Sequence, residues 1–219
     1  MLDLGAGTRR LLTDATLRDG VGELHVPLTH FHLDHCCGLP YLANLSVRVT
    51  VWAPGRWLYD VDSADILGPL RRPPLAPTDA TSTHTVKELR EGRQQVDGFE
   101  VRASAQPRHW TPTAGLRIDD DLALITDTPY EPTSSQLADG VAHLLHEAWS
   151  FSAAPLHPDR DATAAEAAQV ARDADVGQLT LVHLSPLLSG HAPLLEDARA
   201  RFDRVTLGDD DPVLTTQPG

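Results

Sequence analysis

Apolar and polar residues alternate most cleanly over Ser46-Val47-Arg48-Val49-Thr50-Val51, the period-two pattern of a strand with one covered face. Shorter apolar runs near 23–28, 84–89, 99–105, 114–118 and 122–126 predict further strands, and Gln178-Leu179-Thr180-Leu181-Val182 predicts a buried one. Helical spacing is clearest after Thr163. Ala167, Val170, Ala171 and Ala174 make one stripe, and Thr163 with Glu166 supplies a capping box. Weaker patterns predict helices over 9–20, 36–44 and 56–67. The proline-rich stretch 68–80 reads as a loop, either a lid or a plain connection. β-Hairpins early and βαβ-like units later predict an α/β fold of two packed sheets with outer helices, as a single domain over 1–219.

Composition narrows the class. The 219 residues can bury one large core. No apolar run approaches the roughly 18–20 residues that span a bilayer. Met1-Leu2-Asp3-Leu4-Gly5 lacks the basic start of a signal peptide, so a cytoplasmic protein without membrane contact is expected. Cys36 and Cys37 are adjacent and are the only cysteines, which predicts reduced thiols, not a structural disulfide. The net charge of −13 repels nucleic-acid phosphates outside a local basic patch such as Arg71-Arg72.

The chemistry is concentrated in Thr29-His30-Phe31-His32-Leu33-Asp34-His35, directly after the apolar run Leu24-His25-Val26-Pro27-Leu28. On an extended backbone His30 and His32 face the same side, Asp34 continues the alternation, and His35 turns in as a helix begins. Imidazole and carboxylate are ligands that suit zinc. The alternative is a polar loop with three surface histidines.

This motif, followed by Gly38-Leu39-Pro40, resembles the metal-binding signature of the metallo-β-lactamase fold. The resemblance implies an αββα sandwich with a zinc pair at one edge. Leu2-Asp3-Leu4-Gly5-Ala6-Gly7-Thr8 is similar to the family's Asp-x-Gly-x-Gly-Thr segment, which a β-hairpin normally precedes. That hairpin is missing from this sequence. A start codon placed too late is the expected reason, ahead of a shortened variant with an exposed sheet edge. Gly5 and Gly7 read as a turn before they read as a phosphate loop.

The resemblance also implies the remaining ligands. His109 completes a first site with His30 and His32. His183, at the end of a buried strand, joins Asp34 and His35 at a second. Asp127, in Thr126-Asp127-Thr128 where the family has Gly-Asp-Thr, lies between the two metals. Two zinc ions so held can share a hydroxide near neutral pH, with Asp34 also close to the chemistry. Di-iron redox relatives carry glutamate where this chain has His32, whereas persulfide-cleaving iron dioxygenases share the motif.

Leu144-Leu145-His146-Glu147-Ala148 resembles the His-Glu-Ala-Thr signature of the tRNase Z-like branch, with Trp149 in place of threonine. In that branch the glutamate orients an assisting histidine, whose place here is taken by Asp161; whether His157 substitutes is left open by the sequence. His146, Glu147 and Asp161 are therefore catalytic candidates, and Glu147 is expected to lie half-buried against a metal-ligand histidine. Only residues 110–126 separate His109 from Asp127, where the branch inserts its tRNA-gripping arm. The expected activity is a zinc-dependent phosphodiesterase on a small molecule or short nucleotide, with tRNA disfavoured and homodimerisation left open. A lactone or carboxylic-ester hydrolase and a non-catalytic metal-binding module are the alternatives.

Overall fold

The computed structural model describes residues 1–76, 79–80 and 83–208. Strands β1 (Glu23–Pro27), β2 (Arg48–Ala53) and β3 (His84–Glu88) form a parallel sheet in that order. Strands β4 (Gly92–Val96), β5 (Phe99–Gln106), β6 (Thr113–Ile118), β7 (Leu122–Ile125), β8 (His143–Glu147), β9 (Gln178–Val182) and β10 (Val205–Leu207) form the second, in the order β10-β9-β8-β7-β6-β5-β4. The helices are α1 (Arg10–Thr13), α2 (Leu33–Cys36), α3 (Gly55–Tyr59), α4 (Ser63–Leu67), α5 (Pro132–Leu137), α6 (Ala164–Asp173) and α7 (Ala192–Arg199).

Three buried clusters define the layers. Trp52 of β2 packs with Val101, Leu116, Leu145 and Val182 between the sheets. Val26, Val49 and Val51 pack with Leu39, Leu42 and Leu67 on the outer side of the small sheet. Ile125, Leu144 and Leu179 pack under Ala167, Val170 and Ala171 of α6 on the outer side of the large one. This is the expected αββα sandwich, and apolar burial of about 25 cal/mol per Å² holds its layers together.

The hairpins do not come early. β1–β3 pair in parallel, and the antiparallel ladders run from β4 to β7. β4 carries Gly92-Arg93-Gln94-Gln95, which has no apolar alternation to read. Its signal is instead Asp97-Gly98, where both residues take positive φ (48° and 88°) in a two-residue turn. The short helices also depart from the pattern. Residues 56–67 split into α3 and α4 because Asp60 is left-handed, and Asp62 then caps α4 by accepting from Ala64 N. Residues 9–20 break into one turn of α-helix between two 3₁₀ turns. In place of a helix over 36–44, α2 stops at Cys36 and a 3₁₀ helix covers Leu39–Asn44. α6 forms where expected, with both bonds of the Thr163–Glu166 capping box present. α5, β8, β10 and α7 lie in stretches for which no element was expected. The described residues of 68–80 form a connection tied to β3 by Arg71 Nη2 donating to His84 O; Pro77 and Thr78 lie outside the described residues.

Strands β5, β7, β8 and β9 run in one direction, so the segments after them emerge at one edge of the large sheet. The segment after β1 reaches the same edge from the small sheet, since Ala114 N at the start of β6 donates to Thr29 O. No helix among the described residues is long and apolar enough to cross a membrane.

Candidate metal centre

The motif is braced by the first residues of the chain. Asp3 accepts from Thr29 N at 2.7 Å and from Thr29 Oγ1 at 2.9 Å. Its other role concerns His35, whose Nδ1 lies 2.8 Å from Asp3 Oδ2. A carboxylate only accepts, so Nδ1 carries the proton and Nε2 is left to face the centre. Leu4 N donates to His35 O and Gly38 N to Leu4 O, which clamps the turn against α2. The contact is close: a Cβ on Gly5 would stand 2.7 Å from Asp34 O, and one on Gly38 2.6 Å from Gly5 O. Both positions therefore need glycine. Gly5 serves packing here.

The donors converge in two groups. Ligand atoms of His30, His32 and Asp127 lie within 4.8 Å of one another, as do those of Asp34, His35 and His183. Asp127 faces both. Its Oδ1 is 3.5 Å from His109 Nε2 and 4.0 Å from His30 Nε2, while its Oδ2 is 3.2 Å from His35 Nε2 and 3.9 Å from His183 Nε2. Asp127 and His183 close strands β7 and β9 with positive φ, 55° and 48°. Such backbone costs about 1–3 kcal/mol each and persists only where its surroundings hold it.

The chemistry of this donor set fits a pair of divalent cations. His30 Nε2 is buried and has no hydrogen-bond partner among the described residues. Burial, ahead of the pull of Asp127, pushes His30 down to about 3, so its imidazole is neutral and its lone pair available. The other group calls for positive charge. Burial lowers His35, but the carboxylates of Asp127, Asp3 and Asp34 outweigh it and push it up to about 12. His183 behaves likewise, lowered by burial and carried up to about 10 by Asp34 and Glu147. Burial would raise Asp127, yet His35 and His183 hold it below the usual carboxylate range.

Buried groups around the donors fix their orientation. His109 Nδ1 is 3.0 Å from Arg160 O and 3.2 Å from Asp161 Oδ1. Thr126 Oγ1 donates to Asp127 Oδ2 at 2.6 Å, so the threonine in place of glycine serves the carboxylate directly. Thr128 contributes otherwise: its N–H donates to Glu147 Oε1 at 2.5 Å, joined by Ala162 N at 3.2 Å. Glu147 is fully buried, not half-buried, because β8 is covered on both faces. Burial pushes its carboxyl up to about 7, and its Oε2 stands 3.6 Å from His183 Nδ1. Trp149 stacks on the His183 ring, with centroids 5.3 Å apart.

All seven expected ligands, His30, His32, Asp34, His35, His109, Asp127 and His183, thus meet at one place. Of the catalytic candidates, Asp34 and Glu147 border it. Asp161 lines the cleft, but its carboxylate is engaged with His109, which is not the position of a group assisting a departing oxygen. His146 is not brought to the site. Alternation along β8 turns it away from Glu147, and its Nδ1 bonds Glu147 O inside the core. His157 lines the cleft beside Trp110 and Trp149. Asp3 was missed as a partner of His35; its signal was the acid opening the Asp-x-Gly-x-Gly-Thr segment.

A family model described as a beta-lactamase superfamily domain matches residues 2–184. The chain belongs to the beta-lactamase superfamily. An uncharacterized protein of Mycobacterium leprae (strain TN) is 30% identical over 222 residues, covering 93% of this chain and 72% of that relative. A ribonuclease Z of Anoxybacillus flavithermus is 40% identical over 94 residues, 41% of this chain and 30% of the relative. Among solved structures, the metallo-beta-lactamase fold protein YhfI from Bacillus subtilis superposes with a TM-score of 0.75 at 17% identity, over 95% of this chain and 84% of that one. A diphosphatase from the PhnP family gives 0.68 at 18% identity, over 94% and 76%. The chain has the metallo-β-lactamase fold, which implies divalent-metal binding, and the described residues include two candidate donor groups.

Proposed function

We propose that this superfamily member is a zinc-dependent hydrolase that cleaves a small or unstructured phosphodiester. The observation that carries it is Asp127, which forms one three-residue donor group with His30 and His32 and also faces the other, Asp34, His35 and His183; each group could hold one metal ion. Bound there, the metal pair would supply Lewis acidity, activation of water near neutral pH and stabilisation of charge on a phosphoryl group. The chain's own part is to fix the donors. Asp3 sets the His35 tautomer, Asp161 and Arg160 O hold His109, and Glu147 faces His183. The phosphodiester as substrate is supported by the ribonuclease Z and diphosphatase named above.

A folded tRNA suits the site less well than a small diester. Residues 110–126 are taken up by the approach to β6 and the β6–β7 hairpin, which leaves no arm there. The charge of −13 disfavours an extended phosphate backbone. The test is zinc-loaded protein on bis-p-nitrophenyl phosphate against a panel of lactones. Turnover of the diester supports the proposal. Turnover of lactones alone would assign an ester hydrolase on the same donors, and metal binding without turnover would leave a binding module.

A further inference from the structure

The metal cleft is small, about 180 Å³, against the roughly 300 Å³ or more that ordinarily encloses a whole organic ligand. It admits a phosphate-sized group and leaves the rest of a substrate on the rim. The rim is apolar. The three most exposed large hydrophobic side chains among the described residues are Leu187 (76%), Leu33 (66%) and Trp110 (64%), and all lie close in sequence to the donors. Leu33 separates His32 from Asp34, Trp110 follows His109, and Leu187 lies four residues beyond His183. Leu156, also exposed, adjoins His157. Of these, Trp110 is the one that lines the metal cleft, and an exposed apolar side chain there offers a binding surface.

Trp110 is the one tryptophan more than half exposed, and it is held in place. The Arg160 guanidinium lies 4.7 Å from its ring centroid and covers one face. The same guanidinium donates from Nη1 to His109 O at 3.0 Å, which ties the indole to a metal-donor loop. With one face covered, an exposure of 64% leaves the other open beside the cleft. A rigid, flat, half-covered indole offers stacking to a planar ring at little cost in side-chain entropy.

We propose that Trp110 binds a flat aromatic ring, of nucleobase size, on one arm of a phosphate ester seated at the metal centre. The assignment of Trp110 as a specificity-determining residue rests on the phosphodiester reading above. Thymidine 5′-monophosphate and 2-deoxyribose 5-phosphate share the sugar and phosphate, and a hydroxyl replaces the ring at C1′ of the second, so calorimetric titration of zinc-loaded protein with each reads the contribution of the ring. Stacking on an aromatic side chain corresponds to about a tenfold preference for the nucleotide. Trp110→Ala should bring the two affinities within about twofold, and Trp110→Phe should keep most of the preference. Zinc content and melting temperature of each variant establish that the centre is intact. Equal affinities in wild type, or a preference that survives Trp110→Ala, would overturn the proposal. Hydrolysis of bis-p-nitrophenyl phosphate separates the two claims. Turnover with equal affinities removes only the stacking site, whereas ring-dependent binding without turnover removes only the phosphodiesterase.

Discussion

Asp161 Oδ1 lies 3.2 Å from Nδ1 of His109, and both side chains are buried. The pair makes Asp161 a support for a metal donor. The ring is fixed so that Nδ1 is the donor to the carboxylate and Nε2 faces Asp127. Asp161→Asn keeps the shape and removes the charge. It should weaken zinc binding roughly tenfold to a hundredfold, as loss of such an outer partner commonly does. Competition with a chelator of known affinity measures this. Asp161→His, which the sequence alone would favour as a gain of acid catalysis, should instead lose zinc.

Glu147 makes a second prediction. Its Oε1 accepts from Thr128 N and Ala162 N, and a glutamine can keep both bonds. Its Oε2 has no hydrogen-bond partner among the described residues and stands near His183 Nδ1. Glu147→Gln should leave the melting temperature within a few degrees while lowering zinc affinity and turnover together by about tenfold or more. Wild-type affinity and turnover in that variant would remove Glu147 from the centre.

His146 belongs to the core, and its signature is pH dependence. Burial pushes its imidazole down from 6.5 to about 4. A depressed pKa contributes stability that is full above 6.5 and is lost as pH falls through about 4. The loss approaches about 3 kcal/mol when one pKa unit is worth about 1.4. His146→Leu should flatten the stability–pH curve between pH 6.5 and 4, and keep turnover within a few-fold of wild type. Denaturant unfolding of the zinc-loaded proteins at several pH values tests it.

What could be read in the sequence was what is local. His30, His32 and Asp34 share one alternating stretch, and Asp127 and His183 each stand alone at the end of an apolar run. The supports were not legible because they are distant. Asp3 and His35 are 32 residues apart, and His109 and Arg160 are 51. The direction in which His146 points depends on which face of β8 meets the other sheet, and its five residues alone do not set that. β4 was hidden because its pairing with β5 rests on the Asp97-Gly98 turn and backbone bonds, without an apolar face to mark it.

The central claim is that two donor groups sharing Asp127 hold two zinc ions. Elemental analysis of protein purified from zinc-supplemented cells, without chelators, tests it most directly, with Asp127→Ala alongside. About two zinc ions per wild-type chain are predicted, falling to one or none when the shared carboxylate is removed. Wild-type protein that is folded and carries no transition metal would contradict the account.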